Sequence, residues 1–174
     1  MAVRPIVVVP HEALTRSAEE IVDIDDRVRK LARDMAETMY KAPGLGLAAN
    51  QLGELLRLIV IDIAYHYAEP KDRKKKPIWL INPEIYLCEG EAVNEEGCLS
   101  VPEFEVEVKR AALVQVRGVG LEGKPIQIEA EGLLARVLQH EIDHLHGTTL
   151  LEHASSLKRG LYRRRLGKLA RRKN

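Results

Sequence analysis

The chain has 174 residues, enough to bury a sizeable core in one domain. Its 45% hydrophobic content and net charge of +1 are those of a soluble globular protein, and no apolar run approaches the roughly 20 residues that span a bilayer, so no membrane partner is expected. The run at 6–9, stopped by Pro10, is too short for a signal-peptide core, and two cysteines, Cys88 and Cys98, give no disulfide framework, so a reducing cytoplasm is expected.

In chain order, Asp25 or Asp26 can cap a helix in which Val28, Leu31, Met35 and Met39 recur at helical spacing, with Pro43 and Gly44 ending it. A turn-like stretch, Gly44-Leu45-Gly46-Leu47, follows. Residues 55–63, "LLRLIVIDI", read as a buried strand, and the lysine-rich stretch at 68–77 as an exposed loop. "IWLI" and "EIYLC" read as two short strands on either side of Asn82-Pro83. Phe104, Val106 and Val108 alternate with charged residues, as in a half-exposed strand. Residues 113–119 and 126–130 continue the strand pattern, with glycines in the turns. A helix is expected over about 133–146, with Gly147 as its stop, and a last helix over about 156–172, where Leu157, Leu161, Leu166 and Leu169 recur at roughly helical spacing, so that one face can pack or dock. There is no repeat and no linker. The expectation is one α+β domain over residues 1–174, with strands in the middle and helices at the ends.

Charge is unevenly placed. Residues 155–174 hold nine of the 27 Lys and Arg and none of the 26 Asp and Glu, which leaves 18 basic against 26 acidic groups before them, a net of −8. A basic tail on an acidic body is either a solvated helix end or a contact for an anionic partner.

The chemistry concentrates at "QHEIDH", residues 139–144. Residues four apart share a helix face, so His140 and His144 can reach one cation, with Glu141 beside them to handle a proton. Alone, the motif also fits a polar helix whose histidines satisfy local hydrogen bonds. A third ligand discriminates. One metalloprotease class would place a histidine where this chain has Leu150; another takes a downstream Glu, but only Glu152 follows, and too closely. His153 is also too near in sequence. Candidates therefore come from upstream, where a thiolate is the best ligand type available. Cys98, in "EEGCLS", sits beside Gly97 in an apparent interruption between strands. A lone cysteine is more often a small buried hydrophobe, but glycine and polar neighbours weaken that alternative.

Three segments, "GLGLAANQ" at 44–51, "EGCLS" at 96–100 and "QHEIDH" at 139–144, occur in an order and at separations that resemble the peptide deformylases. The likeness extends from about Val3 to the last helix. One departure is His11-Glu12, where the family often shows Pro or Asp-type turn residues. The resemblance implies an α+β fold of mostly antiparallel sheets around the motif helix. It implies Cys98, His140 and His144 as metal ligands with a fourth position for water, and Glu141 as general base and then acid. It implies the Gln51 side-chain amide and the Leu99 backbone N–H as oxyanion donors, and substrate main chain paired with Leu45, Gly46 and Gly97. Val137 would line a methionine pocket. The implied reaction is removal of the formyl group from the N-terminal formylmethionine of new peptides. The implied ion is Fe2+, with Zn2+, Ni2+ or Co2+ able to replace it. The basic tail would dock on the ribosome. A zinc peptidase would leave Cys98 and Gln51 unexplained, and an RNA-binding protein with a structural metal would leave Glu141 idle.

Overall fold

The computed structural model describes residues 2–172, with side chains through Lys168; the Leu169, Arg171 and Arg172 side chains and Lys173 of the basic tail lie outside the described residues. Helix α1 (Asp26–Lys41) is capped by Asp25, whose Oδ1 accepts from Val28 N at 2.9 Å. Strands β1 (Gly46–Ala48), β2 (Leu58–Ile61), β3 (Ile78–Glu89), β6 (Leu113–Val119) and β7 (Pro125–Glu131) form one sheet in the order β1-β2-β3-β6-β7. All its pairings are antiparallel. Strands β4 (Ala92–Cys98) and β5 (Val101–Arg110) form a separate antiparallel hairpin. Between β2 and β3 lies a short turn, α2 (Ala64–Tyr67). Helix α3 (Gly132–Leu145) carries the HExxH motif, and α4 (Ser156–Arg172) follows.

The sheet lies between two helices, and β2 shows why. Its four residues are fully buried and alternate between the two cores. Leu58 and Val60 join Leu31, Met35 and Met39 of α1. Ile59 and Ile61 join Leu138, Ile142 and Leu145 of α3. Period-two alternation in the strand thus meets a three-and-four spacing in each helix. Each such buried Leu or Ile contributes on the order of 1.5–3 kcal/mol. A third core lies under the hairpin, where Phe104, Val106 and Val108 of β5 meet Leu14, Leu150 and Tyr162.

Four local expectations change. Residues 55–63 yield only a four-residue strand. "IWLI" and "EIYLC" are one strand, β3, which passes Asn82-Pro83 by register shifts, with Asn82 at φ 50°. Residues 92–98 are a strand, so Cys98 ends β4 and does not sit between strands. On α4 the leucines do not share one packed face: Leu157 and Leu161 are exposed, while Tyr162 and Leu166 join the third core.

The N-terminal segment bonds to the first two motif segments and to Leu145, the residue after the third. Val7 N donates to Gln51 O at 2.8 Å, Val9 N to Ser100 O at 2.9 Å, and Ala18 N to Leu145 O at 2.8 Å. Asn50 Nδ2 holds the carbonyls of Ala13 and Arg16. Gly147, at φ 74°, closes α3 so tightly that a Cβ there would lie 2.7 Å from the Thr15 carbonyl carbon. His11, the departure noted in the sequence, caps the turn it precedes: its Nδ1 accepts from Ala13 N at 3.2 Å.

Candidate active site

Helix α3 sets His140 and His144 one turn apart, with ring centroids 5.1 Å from each other. Cys98 arrives from the hairpin. The β4–β5 register slips between Gly97 and Cys98, and such a bulge re-aims a side chain. The Cys98 Sγ lies 3.3 Å from His144 Nε2. Ligand atoms of Cys98, His140 and His144 all fall within 4.8 Å of one another, and no other such group occurs among the described residues. Donors around a tetrahedral divalent ion stand roughly 3.5 Å apart for one sulfur and two nitrogens. One thiolate and two imidazoles at this spacing fit such an ion.

A partly buried ion network backs these side chains. His140 Nδ1 meets Glu96 Oε2 at 3.0 Å, which leaves Nε2 for a cation. Arg110 grips the same carboxylate at 2.7 and 3.0 Å and reaches Asp143 at 2.7 Å. His153 Nε2 meets the same Asp143 oxygen, Oδ2, at 3.1 Å. Burial alone would raise Glu96, but the hydrogen bonds from His140 and Arg110 outweigh it and hold the carboxyl at about 2. Burial would lower His140, but hydrogen bonds to Cys98 and Glu96 push it up to about 10. A cation held at His140 Nε2 would take the place of that proton. His144 has no carboxylate partner among the described residues; burial, and then the charge of His140, pull it down to about 3.

Glu141 lies beside the ligands and is 5% exposed. Its Oε2 has no hydrogen-bond partner among the described residues, and burial pushes its carboxyl up to about 7. A carboxyl near neutrality can both accept and return a proton. Gly46 stands against it: a Cβ there would come 2.7 Å from Glu141 Oε1. The glycine of β1 is therefore required by the carboxylate as well as by any close backbone partner.

Gln51, also buried, sits in a turn of 3-10 helix, Ala49–Leu52. Ala48 N–H can only donate, and it meets Gln51 Oε1 at 2.9 Å. The amide nitrogen therefore faces Cys98 Sγ at 3.7 Å and Ser100 Oγ at 3.3 Å.

These groups border one cleft of about 820 Å³. Leu45, Gly46 and Gln51 enter it from the first motif, and Gly97, Cys98 and Leu99 from the second. Val137, His140 and Glu141 enter from α3, and His144 lies behind them, 1% exposed. All ten residues singled out in the sequence thus converge on one place. Sequence reasoning missed Glu96, Asp143 and Arg110, and the cleft-lining Phe104, Leu133 and Arg136. Glu96 and Asp143 lay inside the motif segments; nothing in the sequence pointed to Arg110.

Residues 3–160 match the family model described as polypeptide deformylase. The chain is 48% identical to a peptide deformylase of Desulfosudis oleivorans over 97% of its own length and 95% of the relative's. It is 50% identical to that of Thermodesulfovibrio yellowstonii over 95% and 97%. The crystal structure of a peptide deformylase from Legionella pneumophila superposes with a TM-score of 0.88 at 45% identity, covering 99% and 98% of the two chains. That of the Ehrlichia chaffeensis enzyme in complex with actinonin gives 0.86 at 37% identity over 97% and 98%. Sequence, fold and the converging motif residues agree: the chain belongs to the polypeptide deformylase family.

Proposed function

We propose that this chain removes the formyl group from the N-terminal formylmethionine of new peptides, as one catalytic domain over residues 1–174, with the labour divided as follows. Cys98, His140 and His144 hold a divalent cation, which when bound acidifies a water molecule and polarises the formyl oxygen. Glu141 takes the water's proton and passes it to the departing amine nitrogen, so a formate and a free N-terminus leave. Its desolvated site sets its affinity near the value that both steps need. As the formyl carbon becomes tetrahedral, its oxygen gains negative charge. The Gln51 amide and the Leu99 backbone N–H stabilise that charge. Leu45, Gly46 and Gly97 pair with the substrate main chain, and Val137 helps enclose the methionine side chain.

The observation that carries this division is the unpartnered Glu141 carboxylate, buried in a cleft shared with Cys98, His140 and Gln51. The test is formate release from a formylmethionyl peptide, run beside cleavage of an internal peptide bond. Formate without internal cleavage is the expected result; the reverse would mean a peptidase.

For the ion we propose Fe2+, with Zn2+, Ni2+ or Co2+ able to take its place, since the mixed thiolate and imidazole set suits all four. Cytoplasmic action is part of the proposal; among the described residues no helix is long and apolar enough to cross a membrane. The proposed second partner is the ribosome, met by α4. Its described cations include Lys158, Arg159, Arg163 and Arg164, beside the exposed Leu157 and Leu161. Because Tyr162 packs on Phe104 and donates to Pro102 O at 2.8 Å, truncation would disturb the core. Substituting Arg159, Arg163 and Arg164 by glutamine tests docking more cleanly. Ribosome binding should fall while turnover of a short peptide stays; unchanged binding at the same salt would remove α4 from the contact.

A further inference from the structure

Ser100 closes the second motif, is fully buried, and has no part in the chemistry described above. It lies with Leu99 in the two-residue turn between Cys98 and Val101. We propose that Ser100 is a positioning residue, which fixes the Gln51 amide so that one N–H points at the reacting carbonyl. The proposal rests on Gln51 being an oxyanion donor.

A primary amide has one acceptor oxygen and two N–H groups. For Gln51 the oxygen is taken by Ala48 N at 2.9 Å. Ser100 Oγ, at 3.3 Å from Nε2, takes one of the N–H groups. The other has only the Cys98 sulfur at 3.7 Å, a long and weak contact on the cleft side. Two bonds therefore hold the amide plane and one donor is left over. This is the preorganisation that transition-state stabilisation needs, because the donor does not turn as charge develops.

The backbone supports the same geometry. The N-terminal segment bonds to both partners at their carbonyls, Val7 N to Gln51 O and Val9 N to Ser100 O. The separation of Gln51 and Ser100 is thus set by a third strand of chain as well as by their own contact. Without the Ser100 hydroxyl, the amide would keep its Ala48 bond but could rotate about it, and its second N–H would be buried without a partner.

The experiment is a double-mutant cycle of Ser100→Ala and Gln51→Ala in the metal-loaded full chain, with kcat, KM and metal content measured for each. Loss of one neutral hydrogen bond predicts that Ser100→Ala lowers kcat about 2–10-fold with KM nearly unchanged. In the Gln51→Ala background the same change should cost nothing further. Equal loss in both backgrounds would overturn the proposal while leaving Gln51 as a donor. A Gln51→Ala variant with normal kcat would remove the premise instead. Should Ser100→Ala fail to fold, the unaltered zinc-loaded protein decides by NMR of the Gln51 side-chain amide. One protected Nε2 proton and one more exposed is expected; two protons that exchange alike would refute the positioning role.

Discussion

Replacing Gly46 with alanine adds one methyl group, and the structure says where it goes. It would lie 2.7 Å from Glu141 Oε1, 2.8 Å from Cγ and 3.0 Å from Cδ, where ordinary contacts begin at 3.4 Å. Gly46 is not among the described glycines with positive φ, so the backbone itself accepts alanine. All of the strain therefore falls on the Glu141 side chain, or on β1, which is buried along its whole length. The carboxylate has to move by several tenths of an ångström from its place beside β1. Overpacking of this kind typically costs about 1–3 kcal/mol of stability. Its larger effect should be catalytic, since displacement of a reacting group by about 1 Å can cost about 100-fold. We expect kcat to fall between about 10- and 100-fold, with full metal content and a melting temperature lowered by a few degrees. The assay is formate release against substrate concentration. Pairing the change with Glu141→Ala, which opens the space, should produce no further loss. A kcat within twofold of the parent, or a loss confined to KM, would show that Gly46 serves only the substrate's main chain.

Other outcomes follow from the same geometry. Glu141→Gln should retain the cation and lose about 10²–10⁴-fold in kcat, because an amide cannot accept the proton; near-normal turnover with metal present would assign the base elsewhere. Cys98→Ala should abolish stoichiometric metal binding, and iron-loaded parent protein should lose activity in air faster than nickel-loaded protein, since a thiolate beside ferrous iron can be oxidised. Equal lifetimes with Cys98 still reduced would contradict this. Glu96→Gln should weaken metal affinity about 10–100-fold by releasing His140. In the metal-stripped protein, Glu96 is depressed from 4.5 to about 2, so its stabilisation is present above 4.5 and is lost as pH falls through about 2. The variant should therefore show a flatter loss of stability across that window, and a parallel curve would mean that other carboxylates govern acid unfolding.

Much of the fold was legible where local signals and burial agreed. Helix α1 carried both an Asp cap and a spaced apolar face, and β6 and β7 carried alternation. Strand β4 was not legible, because "AVNEEGC" has no apolar alternation and a single β-branched residue, Val93. It is a strand because β5 supplies a partner along its length, which is a tertiary fact. Strand β3 looked like two strands because Asn82-Pro83 breaks the ladder, yet the chain resumes its pairing with β6 beyond the bulge. The leucines of α4 suggested one face, but an aromatic pair, Tyr162 on Phe104, set which side packs. In the site, ligand types and spacing pointed to Cys98, His140 and His144, whose donor atoms do converge. The groups behind them did not announce themselves, since a guanidinium at the end of β5 looks like any exposed strand-end arginine until Glu96 and Asp143 close around it.

The bonds of the N-terminal segment also bear on the order in which a newly made copy becomes competent. Residues 7–18 are synthesised early, yet their partners are Gln51, Ser100 and finally Leu145. The thiol and imidazole that face each other are 46 positions apart, and the last tether, Ala18 to Leu145, waits until α3 has left the ribosomal tunnel. Synthesis at about 5–20 residues per second makes that a delay of many seconds during which the strap has nothing complete to hold. A growing copy of this enzyme therefore has no assembled cleft until α3 has emerged, and it becomes competent only late in its own synthesis.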